Sequence, residues 1–67
     1  MKYVIWFNSK VMDDNSGFFY RNRKEGFTAV PQSDRAKKFK TKENAEDMLE
    51  TLKVKEGEYY DFEIREV

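Results

Sequence analysis

The chain has no cysteine and no histidine, and these two gaps remove much of ordinary site chemistry. Without cysteine there is no disulfide to staple a small fold and no thiolate nucleophile, and without either residue the usual zinc ligand sets cannot be assembled. One proline and three glycines in 67 residues leave few points where the backbone must break. The longest uninterrupted apolar run, Tyr3 to Phe7, is far short of the roughly 20 residues that a membrane-spanning helix needs. Charge of one sign is not in excess either, since 13 basic and 13 acidic side chains cancel to zero. Ser9, Ser16 and Ser33 read as loop residues with no base to activate them. Carboxylates on exposed faces are ordinarily solvated charges rather than acid/base pairs. The expectation is a protein that is not an enzyme, with no catalytic residue, no metal and no cofactor.

What the chain does have is aromatic side chains: six Phe, four Tyr and one Trp. A domain of this size hides only about 60% of its unfolded surface, so stability must come from efficient burial. Each buried aromatic removes roughly 150–250 Å² from water. Self-association into a homodimer is the other reinforcement open to it. The length allows one domain, residues 1–67. Met1-Lys2-Tyr3 runs directly into a strand with no signal-like region, giving the expectation of a cytoplasmic location and no membrane contact.

Tyr3-Val4-Ile5-Trp6-Phe7 is β-branched and aromatic throughout, which predicts a strand. Both parities are apolar, so it belongs in the interior of a sheet, and Val11 and Met12 could extend it after an irregular Asn8-Ser9-Lys10. Asp13 to Gly17 reads as a turn, with Asn15 or Gly17 available for positive φ. Asp13-x-Asn15-x-Gly17 lacks the third ligand and distal Glu of a calcium loop, so a hairpin turn is the better reading. Phe18–Arg21 is the returning strand, Asn22–Gly26 a second turn and Phe27–Val30 a third strand, stopped by Pro31, which cannot donate to a ladder. Gln32–Asp34 starts a short helical turn through Ala36.

Thr41 then caps a helix whose Ala45, Met48, Leu49 and Leu52 fall at i, i+3, i+4 and i+7. The reciprocal capping box is incomplete, because Asn44 stands where Glu or Gln would be expected. Val54 and Gly57 bracket the helix exit. From Glu58 to Val67 the chain alternates, with Tyr60, Phe62 and Ile64 on one face and Tyr59, Asp61, Glu63 and Arg65 on the other, as a half-buried strand does. The order β-β-β-α-β predicts an α+β fold: a small antiparallel sheet with one helix packed on one face and the last strand beside the first.

The neutral total conceals sorting. Residues 21–42 carry eight basic groups against two acidic, a balance of +6, and residues 43–67 carry nine acidic against three basic, a balance of −6. Such asymmetry points to a charged partner. Glu43, Glu46, Asp47 and Glu50 form an acidic helix face with like charges at i,i+4, pairs that cost a few tenths of a kcal/mol each. An acidic surface for a basic partner is one reading, and neutralisation by the lysines that precede the helix is the other. The second sheet face would hold Trp6, Val4, Tyr59 and one of Phe18 or Phe19. A patch of that kind marks a protein-binding surface with Trp6 and Tyr59 as anchors, a homodimer interface, or a face covered by loops 8–16 and 31–38. Arg21, Arg23, Lys24, Lys37, Lys38 and Lys40 could meet phosphates, with sheet aromatics as a stacking platform.

The segment Ser33-Asp34-Arg35-Ala36-Lys37-Lys38-Phe39-Lys40-Thr41-Lys42-Glu43-Asn44-Ala45-Glu46-Asp47-Met48-Leu49 resembles the A-K-x-F-x-T-x-E-x-A pattern of small accessory proteins of bacteriophages and prophages. There one or two hairpins precede the segment and a strand similar to Tyr60–Val67 closes the chain. The resemblance implies packing roles for Ala36, Phe39 and Ala45, a capping role for Thr41, and residence in the host cytoplasm. It brings no catalytic or binding residue. The expected function is a binding module that engages a host or phage protein, in some cases to inhibit a host defence or regulatory factor. The alternatives are a small nucleic-acid-binding protein and a structural homodimer component without a ligand.

Overall fold

Strand-forming residues at the two ends of the chain pair side by side, the first strand inside the sheet and the last at its edge. The computed structural model describes residues 1–11, 16–24 and 26–67. Its elements are β1 (Tyr3–Ser9), β2 (Ser16–Asn22), β3 (Phe27–Val30), a 3₁₀ turn (Ser33–Arg35), α1 (Lys42–Glu56) and β4 (Tyr60–Glu66). The four strands form one antiparallel sheet of order β3-β2-β1-β4, so the strand that is apolar on both parities is interior and the last strand lies beside it. This is the α+β sheet-and-helix architecture expected, with a 3₁₀ turn inserted ahead of the helix.

The β1–β4 ladder runs from Tyr3 opposite Glu66 to Ser9 opposite Tyr60. The β1–β2 ladder is much shorter: Trp6, Phe7 and Asn8 face Phe18, Gly17 and Ser16. Toward Tyr3 the two strands part, and the segment around Lys37 and Phe39 enters the gap. The Lys37 N–H donates to the Phe19 carbonyl at 3.0 Å, while Tyr3 and Phe39 exchange both backbone bonds at 2.9 and 2.8 Å. The wedge satisfies polar backbone groups that the splayed strands would otherwise leave unpaired in the interior.

Beyond Phe19 the strand β2 carries a bulge: Phe19 faces Ala29 but Arg21 faces Thr28, which leaves Tyr20 as the extra residue. Bulges bend the strand that bears them, and the hairpin tip is anchored at the C-terminal end of α1. There the Lys55 ammonium donates to Asn22 Oδ1 at 2.9 Å, Arg23 O at 2.7 Å and Gly26 O at 3.2 Å. Gly26 adopts φ +83°, a conformation that L side chains rarely take. Phe27 follows it and packs edge-on against Phe7, Tyr60 and Phe62, with ring centroids 5.1, 5.5 and 5.8 Å away.

Thr41 caps α1 as expected, its Oγ1 accepting from the Asn44 N–H at 3.1 Å. The helix lays Ala45 and Leu52 against Ile5, Phe19 and Phe39, with Met48 and Leu49 at the margin of the cluster. At its end, a Cβ added at Gly57 would collide with the Lys53 carbonyl oxygen.

Three local expectations are corrected. β1 stops at Ser9 and Val11 is 71% exposed, so the strand does not extend through Val11; Met12 lies outside the described residues. Ser16 and Gly17 belong to β2 rather than to a turn, and Gly17 has no positive φ. Its Cβ would meet the Phe7 ring at 3.3 Å and the Val30 carbonyl at 3.1 Å, so this glycine serves close packing. The turn and calcium-loop positions Asp13 and Asn15 lie outside the described residues. Third, β4 begins at Tyr60, and Tyr59 stands in the turn before it.

Candidate functional site

A sheet with one helix leaves two surfaces to examine, the outer face of α1 and the sheet face opposite the helix. Glu43, Glu46, Asp47 and Glu50 are all exposed on α1. Among the described residues the ion pairs are Lys10–Asp61 and Arg65–Glu63, and none involves these four carboxylates. The lysines ahead of the helix do not fold back on them: Lys38 donates instead to the Asp34 carbonyl at 2.6 Å.

At about 100° per residue, the positions 43, 47, 50 and 54 fall on one line of the helix. Val54 therefore stands among the acids, opposite the buried stripe, and is 87% exposed. The sequence carried this signal, because Val54 is eleven residues, or three turns, after Glu43.

The sheet face opposite the helix is not an open aromatic patch. Val4, though on the parity away from α1, is 0% exposed, and Ala36 of the crossing segment is buried as well. Trp6 is half-buried beside Phe18 and Glu63. The Arg65 guanidinium lies over its ring, 4.4 Å from the centroid, while Arg65 Nε donates to Glu63 Oε2 at 3.2 Å. Tyr59 is 52% exposed, but four residues, or about 13 Å of extended chain, separate it from Glu63, the partner of Trp6. The two expected anchors do not form one patch. Of Phe18 and Phe19, Phe18 lies on this face and Phe19 is in the core.

The basic residues divide into groups. Arg23 and Lys24 are at the hairpin tip, Lys40 is exposed just before the Thr41 cap, and Lys38 is half-buried and bonded to its own segment. Arg21 and Lys37, distant in sequence, border one cleft of about 380 Å³ together with Phe19, Tyr20, Asn22 and Met48. Charge alone grouped Arg21 with Lys37 in the sequence, and the bulge and the Lys37–Phe19 bond bring the two to one cleft. No helix among the described residues is long and apolar enough to cross a membrane. Comparison with protein-family models, curated proteins and solved structures gives no match to this chain.

Proposed function

We propose that the protein is a binding module that presents the outer face of α1 to a basic surface of another protein, in the manner of the phage-type accessory proteins it resembles. The observation that carries this reading is the set of four exposed carboxylates, unpaired among the described residues, around the exposed Val54. Like-charge pairs at i,i+4 work against the helix, so the sequence holds an unfavourable arrangement that folding does not require. Complementary charge around an apolar contact accelerates encounter and fixes orientation. On this reading the helix face, rather than Trp6 and Tyr59, makes the main contact, since one face of the Trp6 ring already carries the Arg65 guanidinium.

Affinity capture from bacterial lysate tests the reading with three baits: wild type, Glu43→Lys/Asp47→Lys/Glu50→Lys, and Lys37→Gln/Lys40→Gln as a control. The expected result is a basic protein held by wild type and control and released by the charge-reversed bait. Equal capture by all three baits would remove the acidic face from the function.

A further inference from the structure

The cleft between β2 and the Lys37–Phe39 segment has the makings of a small-ligand site. Its volume of about 380 Å³ falls within the range of roughly 300–1,000 Å³ usual for such sites. Four consecutive residues, Phe19 to Asn22, border it. A regular strand sends alternate residues to opposite faces, and the bulge at Tyr20 relaxes that alternation. The backbone bond from Lys37 to Phe19 fixes the opposite wall.

The chemistry of the lining is one-sided. Arg21 and Lys37 are both cationic, and among the described residues no carboxylate borders the cleft. Neither side chain makes an ion pair or hydrogen bond among the described residues. Two cations with no anion between them match a phosphate dianion, which the Arg fork can hold bidentately. The remaining lining is aromatic and polarizable: Tyr20 is 47% exposed, Phe19 is buried, and Met48 comes from the helix. A planar base stacks on surfaces of this kind. Asn22 adds direction. Its Oδ1 is already occupied by Lys55, so its NH₂ group is the part left to meet an acceptor on a ring edge.

We infer that this cleft binds a nucleoside monophosphate group, with Arg21 and Lys37 on the phosphate and Tyr20 against the base. The group can come as a free nucleotide or as the 5′-phosphorylated end of a single strand. The site is separate from the acidic helix face, since Met48 lies about 120° around α1 from Val54.

Amide chemical-shift titrations of the intact chain with adenosine 5′-monophosphate, adenosine and inorganic phosphate test the inference. Saturable shifts at residues 19–22 and 37 with the monophosphate are expected, and adenosine should bind about tenfold or more weakly. Arg21→Gln/Lys37→Gln should weaken the monophosphate by a similar factor with the circular dichroism unchanged. Tyr20→Leu should weaken it while leaving inorganic phosphate unaffected. A short oligodeoxynucleotide with and without a 5′-phosphate separates the sources. Tighter binding of the phosphorylated strand than of the mononucleotide assigns a strand end, and equal binding assigns the free nucleotide. Absence of saturable shifts at these residues in the wild-type chain would overturn the inference, as would an affinity that the double variant leaves unchanged.

Discussion

Trp6 and Tyr59 show how different the roles of two similar side chains can be. The sequence assigns both to one exposed face, because both sit on the parity away from the helix. What it does not reveal is the distance between them, nor the guanidinium that Arg65 places over the indole. A cation over an aromatic face contributes about 0.5–1 kcal/mol at exposed sites, and the half-buried indole adds apolar burial to that. Trp6→Ala should therefore lower stability by at least about 1 kcal/mol in urea denaturation. Tyr59→Ala, at an exposed turn, should remain within about 0.5 kcal/mol of wild type. Equal losses for the two would mean that Tyr59 is packed and the assignment of the turn is wrong. The same contrast applies to the glycines. Gly17 reads as a turn residue by composition, yet it lies beneath the Phe7 ring, and close packing of that kind leaves no local sequence mark.

At the level of elements, β1 and α1 were the most legible. Two apolar parities placed β1 in the interior, and the stripe of Ala45, Met48, Leu49 and Leu52 with the Thr41 cap set both the start and the buried face of α1. β2 was legible as a strand but its bulge was not, since Phe18, Phe19 and Tyr20 are all aromatic and conceal the break in alternation. The wedge at Lys37–Phe39 was also hidden, because it depends on backbone bonds to strands distant in sequence. Ala36 and Phe39, which interrupt the basic run as apolar anchors, are both buried. The Thr41 cap stands without the reciprocal arm of a capping box, so removing its hydroxyl leaves the Asn44 N–H without that acceptor. Thr41→Ala should cost about 1 kcal/mol, read as a lower denaturation midpoint with an unchanged m-value. Thr41→Asp should restore most of the loss. A neutral Thr41→Ala would show that the cap is not needed once the helix is packed.

The whole molecule depends on few contacts. With no disulfide available, a chain of 67 residues has a total stability on the order of 3–10 kcal/mol. Phe27 touches Phe7, Phe19, Tyr60 and Phe62, and so joins the second hairpin to both β1 and β4. Phe→Ala at packed positions costs about 3–5 kcal/mol, enough to remove much or all of that stability. Phe27→Ala should be largely unfolded near room temperature by circular dichroism, whereas Phe27→Leu should fold with a reduced melting temperature. A Phe27→Ala protein as stable as wild type would mean that the aromatic cluster does not hold the hairpin to the sheet.

Charge sorting takes on a spatial meaning at this scale. Glu43, Asp47 and Glu50 of the acidic block lie along the outer line of α1, and part of the basic block meets at a cleft whose helix side is formed by Met48. The central claim concerns the first of these surfaces, and photocrosslinking from position 54 tests it most directly. With a photoreactive side chain in place of Val54, irradiation in bacterial lysate should give a discrete adduct with one basic protein. That adduct should disappear when Glu43→Lys, Asp47→Lys and Glu50→Lys are added to a chain whose circular dichroism is unchanged. An adduct of undiminished yield in the charge-reversed chain, or no discrete adduct from the folded wild-type background, would contradict the account.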